Sequence, residues 1–136
     1  MNKHTSNIFL VVLIVVLTAW GSPAFTAESP EVHPYKGIVV FYRLNKREYG
    51  TIPLNVNHTK RSLGQLVRGK YLYEYFDPGS QAFWSKIPSQ DTITLEVEEG
   101  KVYYVRSDLR KVIEDYRTKF TLMSEAEGKA DLARLK

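Results

Sequence analysis

A chain of 136 residues is long enough for one domain with a hydrophobic core, and 43% apolar with 25% charged residues is typical of a globular protein. Its formal net charge of +4 comes from 19 basic and 15 acidic residues that are interspersed, without the dense basic stripe of a nucleic-acid-binding protein. Cysteine is absent, which excludes disulfides, thiolate metal sites and a cysteine nucleophile.

Residues 1–27 are predicted to be a signal peptide. A basic start is followed by an apolar run from Ile8 to Trp20, about 13 residues, where ~7–15 are typical of a signal peptide and ~20 are needed to span a bilayer. Small residues permit cleavage after Ala24 or after Ala27. An uncleaved segment that holds the protein at the inner membrane is the alternative. The protein is not expected to be a lipoprotein, because no cysteine follows the apolar run.

Residues 28–36 are predicted to be a linker and residues 37–136 a single domain. The segment Gly37–Leu44 is β-branched and aromatic, and its nearly continuous apolar character predicts a strand in the middle of a sheet. The next strand, Thr51–Val56, contains Pro53, which cannot donate a ladder hydrogen bond. This strand is therefore expected at a sheet edge.

Further short strands are predicted between turns rich in glycine, proline, asparagine and aspartate. They cover Leu63–Val67, Lys70–Phe76, Gln81–Ile87, Thr92–Val97, Val102–Arg106 and Lys119–Met123. The sequence of Leu109–Tyr116 is compatible with two alternatives, a loop with a short helical turn or an irregular strand. Ser124 with Glu127 is a capping-box pattern that predicts a short C-terminal helix. The predicted fold is all-β, an antiparallel β-sandwich (Ig-like or transthyretin-like) of about seven or eight short strands.

Three tyrosines alternate along one predicted strand. Tyr71, Tyr73 and Tyr75 share a face, and together with Trp84 on a neighbouring strand they could form an aromatic platform for a glycan or a peptide. The alternative, which the sequence favours, is an aromatic packing ladder between strands, which contributes up to ~1 kcal/mol per pair.

Other residues that could carry chemistry lack a specific pattern. His33 and His58 do not have the three or four closely spaced ligands that a zinc site needs. A hydrolase would need His58 beside a serine and a carboxylate, and no nucleophile-elbow motif surrounds any serine. The candidate partners are Ser62, Ser80, Ser85, Asp77 and Asp91. Three glutamates cluster beside a predicted turn: Glu96, Glu98 and Glu99. A paired acid/base site would need burial, so a solvated strand end is the simpler interpretation.

Several short motifs occur in a fixed order along the mature chain. They are Phe41-Tyr42-Arg43, Leu63-Gly64-Gln65-Leu66, Gly69-Lys70-Tyr71, Pro78-Gly79, Gly100-Lys101-Val102-Tyr103-Tyr104-Val105 and a closing Leu122-Met123 before a small acidic tail. In this order, over residues 37–135, the chain resembles a family of exported bacterial domains called domain of unknown function 2846. The resemblance implies a periplasmic or envelope β-sandwich-like domain and supplies no catalytic residues. Many members of that family are lipoproteins, and this chain departs from them by lacking the lipid-bearing cysteine.

The sequence thus predicts an exported bacterial envelope protein, periplasmic or secreted, that acts as a non-enzymatic binding or scaffolding module. The expected partner is an envelope protein, a peptide or a glycan. No nucleic acid, metal or cofactor is expected, and a membrane is contacted only through an uncleaved leader. A small periplasmic hydrolase is the alternative function.

Overall fold

The computed structural model describes residues 35–47, 51–86 and 89–135, all of which belong to one compact unit. The predicted leader and most of the predicted linker lie outside the described residues. The elements are β1 Gly37–Tyr42, β2 Leu54–His58, β3 Arg61–Leu66, β4 Tyr71–Phe76, β5 Gly79–Ser85, β6 Asp91–Val97, β7 Val102–Val112, β8 Asp115–Met123 and the helix α1 Glu125–Ala133.

The strands form two four-stranded sheets. Sheet A has the order β4-β1-β7-β8, and sheet B has the order β3-β2-β5-β6. The pairing of β1 with β7 is parallel, whereas the other pairings in both sheets are antiparallel. The predicted β-sandwich with a short C-terminal helix is therefore confirmed, with one parallel pair inside it.

Strand β1 occupies the centre of sheet A and is buried along its whole length. Val39 and Phe41 belong to the core between the sheets, where the ring centroid of Phe41 lies 5.0 Å from that of Phe83 on β5. The alternating residues Ile38 and Val40 belong to a second apolar cluster on the other side of the sheet. The predicted central position of this strand is thus confirmed, and it is covered on both faces.

The structure corrects one prediction about a single segment and decides another that the sequence had left undecided. Pro53 does not mark an edge strand: β2 begins one residue later, at Leu54, and lies between β3 and β5. Because the proline precedes the first paired residue, it removes no ladder hydrogen bond. The segment Leu109–Tyr116, for which the sequence left two alternatives, is a hairpin. In it, β7 and β8 continue as far as the pair Val112 and Asp115.

The outer edge of β8 is covered by side chains that come from sheet B and the loop before it. The backbone N–H of Thr118 donates to Ser89 Oγ, and that of Phe120 donates to Asp91 Oδ2, both at 2.8 Å. An uncovered edge strand is a template for pairing with another chain. At these two positions the donors that would pair with such a chain are already occupied.

The Asp91 hydrogen bond predicts a specific loss of stability. Asp91→Ala leaves the Phe120 N–H without this acceptor and should lower the free energy of unfolding by about 1–2 kcal/mol. It should also promote association through β8. Asp91→Asn keeps an acceptor oxygen and is the matched control. Urea denaturation and light scattering measure both effects, and equal stability and mass for the two variants would contradict the role given to Asp91.

Candidate functional site

The three predicted tyrosines lie on β4, at one edge of sheet A, on the face that points away from the sandwich core. Tyr71, Tyr73 and Tyr75 stand directly opposite the β1 residues Tyr42, Val40 and Ile38. Cross-strand partners share a face of the sheet. Since these β1 residues belong to the outer cluster, the tyrosines lie on the outer face too. We call this row of Tyr71, Tyr73 and Tyr75 the tyrosine ridge.

The rings of the ridge differ in exposure. Tyr71 and Tyr73 are 46% and 43% exposed, whereas Tyr75 is partly buried against the outer apolar cluster. The rings of Tyr73 and Tyr75 meet edge to face, with their centroids 6.3 Å apart. Tyr75 therefore anchors the row in the protein, and the two outer rings offer accessible aromatic surface.

Trp84 is not part of this ridge, so the expectation that it lies on a neighbouring strand is wrong. It belongs to β5 of sheet B, where it alternates with the core residue Phe83 and so lies on the outer face of that sheet. Its indole Nε1 donates to the backbone oxygen of Thr59 at 2.9 Å. The cause is topological: β4 pairs with β1, and the turn after β4 takes the chain into the other sheet.

The helix α1 packs on the outer face of sheet A. Gly128 is its buried residue, and a β-carbon at this position would overlap the ring of Tyr104 on β7. Leu132 and Leu135 pack against the same apolar cluster. Ser124 caps the helix as predicted, with its Oγ accepting from the Glu127 N–H at 3.2 Å. The helix therefore approaches the sheet closely only because glycine stands at the point of contact.

A polar network fixes the helix to the sheet beside this contact. The Tyr42 hydroxyl donates to Asp131 Oδ2 at 2.7 Å, and Arg106 Nη1 lies 3.9 Å from the same oxygen. Arg106 also donates through Nε to Asp108 Oδ2 at 3.0 Å. Sequence reasoning missed this network, because Tyr42 and Asp131 are 89 residues apart and no local pattern connects them.

The environment of Tyr42 defines what its hydroxyl can do. Burial, and then the hydrogen bond to Asp131, raise the pKa of Tyr42 well above its usual value of about 10. The hydroxyl is therefore protonated at physiological pH and acts as a hydrogen-bond donor. Because this hydroxyl lies beneath α1, its hydrogen bond to Asp131 holds the helix on sheet A.

Arg43, directly after β1, joins the two sheets. Its side chain is fully buried, and Nη1 donates to the backbone oxygens of Ile52 at 2.5 Å and Leu66 at 3.1 Å. Ile52 precedes β2 and Leu66 ends β3, so one guanidinium from sheet A holds two segments of sheet B. The two hydrogen bonds through Nη1 offset part of the cost of burying this cation. This arginine therefore serves the fold.

The residues proposed for a hydrolase do not form a triad. The contacts of His58 are Gln81 Oε1, 2.7 Å from its Nε2, and the rings of Phe76 and Phe83. None of the predicted serine or aspartate partners is among them. Asp91 binds the edge of β8, and Asp77 faces Lys36 at 3.7 Å.

The carboxylates near the β6–β7 turn are exposed, as predicted. Glu96, Glu98 and Glu99 all face solvent, and Glu98 pairs with Lys101. Within residues 35–47, 51–86 and 89–135, no group of three or more metal-ligating side chains comes together. His33 lies outside the described residues. In the part of the chain that the structure covers, no helix has the length and apolar character needed to cross a membrane.

Comparisons of the chain with protein-family models, with curated proteins and with solved structures found no match. The resemblance to domain of unknown function 2846 therefore stays a prediction.

The Tyr42–Asp131 hydrogen bond predicts a pH-dependent stability. Tyr42→Phe should lower the free energy of unfolding by about 1–2 kcal/mol at neutral pH, because Asp131 loses a donor. A raised pKa in the folded state stabilises the protein below pH ~10, and this contribution is lost as the pH rises further. The wild type should therefore lose stability above pH ~10 more steeply than Tyr42→Phe does.

Urea denaturation between neutral pH and pH ~11 measures this difference. Tyr73→Phe, which removes a hydroxyl from a half-exposed ring, is the matched control. A smaller slope should persist in Tyr42→Phe, because burial also raises the pKa of Tyr104. Parallel pH profiles for the wild type and Tyr42→Phe would show that this hydroxyl does not stabilise the helix in the assigned way.

Proposed function

We propose that this protein is an exported bacterial envelope module that binds an extended glycan or peptide on the tyrosine ridge and performs no chemistry on it. The observation that carries the proposal is the pair Tyr71 and Tyr73. They present two accessible aromatic rings side by side on the outer face of an edge strand.

The ridge has the physical properties of a binding surface. Side chains two residues apart on a strand are ~7 Å apart, so the two rings form a short row that matches an extended chain. Tyrosine supplies a large apolar face and a hydroxyl at a small entropic cost, because only two side-chain torsions must be fixed. Partial burial of Tyr75 at one end holds the row in place before any ligand arrives.

Export is supported by the leader pattern, in which a basic start, an apolar run and small residues precede the polar segment from Glu28. A periplasmic location would place the ridge among the glycans, peptides and proteins of the envelope. A binding or scaffolding role also agrees with the engagement of His58 by Gln81 and two phenylalanine rings.

Export is tested by expressing the full chain with a C-terminal epitope in a bacterium. The protein should appear in the periplasmic fraction with its new N-terminus at Phe25 or Glu28, as read by mass spectrometry. Leu13→Arg should block export by interrupting the apolar run, whereas Leu13→Val should not. Full-length protein in the inner membrane fraction would instead support the uncleaved tether.

Ligand binding is tested by co-sedimentation with isolated peptidoglycan, an envelope polymer that contains both glycan strands and peptides. The protein recovered from the periplasm should bind, and Tyr71→Ala with Tyr73→Ala should weaken binding at least about fivefold per ring. Leu122→Ala, a half-exposed apolar residue on the opposite edge strand of sheet A, is the control. A double variant that binds as well as this control, with unchanged thermal stability, would falsify the ridge as the binding surface.

A further inference from the structure

The β7–β8 hairpin extends beyond the strand that supports it. Strand β1 pairs with β7 only up to Arg106, whereas the hairpin ladder continues from there to Val112 and Asp115. We call residues 108–119 the distal hairpin. Its inner face is anchored, since Leu109 and Thr118 are buried. Its outer face carries alternating residues that project away from the sandwich core.

That outer face carries an arginine pair. Arg110 and Arg117 stand directly opposite each other across the hairpin, and both are exposed. Lys119 lies on the next cross-strand rung, opposite Asp108, but the Asp108 carboxylate binds Arg106 instead. In the part of the chain that the structure describes, no ion pair or hydrogen bond engages the side chains of Arg110, Arg117 or Lys119.

This arrangement does not serve the stability of the fold. Like charges directly opposite each other on a strand pair are destabilising. Two guanidinium groups at this spacing are, however, suited to hold one phosphate group between them, because each presents a planar fork of donors. The chemistry that fits the pair is therefore a phosphate ester.

The tip of the hairpin adds an apolar element. Ile113 is 89% exposed and has φ 58°, in the left-handed region that β-branched residues rarely adopt. A glycine or asparagine would fit this turn with less strain. With so much of its surface in solvent, the isoleucine gains little from packing, so its presence points to a contact outside the chain.

The acidic residues of the tip limit the electrostatic attraction. The distal hairpin contains four basic and three acidic residues, which gives a net charge of +1. Asp108 is neutralised by Arg106, whereas Glu114 and Asp115 stay exposed at the turn beside Ile113. Binding would therefore depend less on the net charge of the hairpin than on the positions of its cations, which lie together on one face next to an apolar tip.

We propose that the distal hairpin binds the surface of an anionic phospholipid bilayer. Arg110 and Arg117 hold a lipid phosphate, Lys119 adds attraction, and Ile113 enters the headgroup region. The combination of exposed cations with an exposed apolar residue selects a bilayer over a soluble phosphate, which would leave Ile113 in water. This membrane contact is additional to the one the sequence assigns to an uncleaved leader, and it does not depend on ligand binding at the tyrosine ridge.

The test is vesicle flotation at low salt with the protein recovered from the periplasm. Vesicles in which about a quarter of the lipid is phosphatidylglycerol should bind it more tightly than pure phosphatidylcholine vesicles. Arg110→Gln with Arg117→Gln should weaken binding to the anionic vesicles about 25-fold, or about fivefold per charge. Lys60→Gln with Lys86→Gln removes the same charge from exposed positions elsewhere and should have a much smaller effect.

Ile113→Asn distinguishes a role at the membrane from a role in the fold. Asparagine suits the left-handed backbone, so this variant should be at least as heat-stable as the wild type and yet bind anionic vesicles about fivefold or more weakly. Equal losses in the arginine variant and the lysine control would overturn the proposal, since net charge alone would then explain binding. The proposal would also be overturned if Ile113→Asn bound anionic vesicles as well as the wild type and millimolar inorganic phosphate, at matched ionic strength, competed with the vesicles. Those two results together would favour a soluble phosphate ligand.

Discussion

Burial of β1 on both faces is the constraint on which the rest of the structure depends. Strands in ordinary antiparallel sandwiches bury one face and leave the other to solvent. All six residues of β1 are buried, so this strand needs a cover on each side. Sheet B provides one cover and α1 the other. The helix can do so because Gly128 admits the Tyr104 ring and Asp131 accepts from the Tyr42 hydroxyl.

Several polar groups at the margins of the sandwich make contacts between the two sheets. Arg43 carries a charge into the interior and donates to backbone oxygens of segments that belong to sheet B. Ser89 and Asp91 accept from the outer edge of β8, and Arg61 on β3 pairs with Glu74 on β4. An unsatisfied buried donor costs more than a surface contact contributes. These contacts therefore fix how the sheets are joined.

The helix also decides which parts of sheet A remain available for binding. It covers the centre of the outer face, where Val40 and Tyr104 are buried. The uncovered parts lie at opposite edges, with the tyrosines on β4 and the cations on the distal hairpin of β7 and β8. The two surfaces differ in chemistry, since one is aromatic and neutral and the other is cationic with an apolar tip.

The sequence by itself determined most local structure, because periodicity and capping depend on neighbouring residues. The continuous apolar run located β1. The alternation of the three tyrosines placed them on one face of a strand, and the pattern of Ser124 and Glu127 located the helix cap. Only the tertiary structure decided that Trp84 faces away from those tyrosines and that Pro53 precedes an interior strand. Only there do Tyr42 and Asp131 meet, and only there do Arg110 and Arg117 stand opposite each other. These relations depend on strand order and register, which are set by contacts between residues distant in sequence.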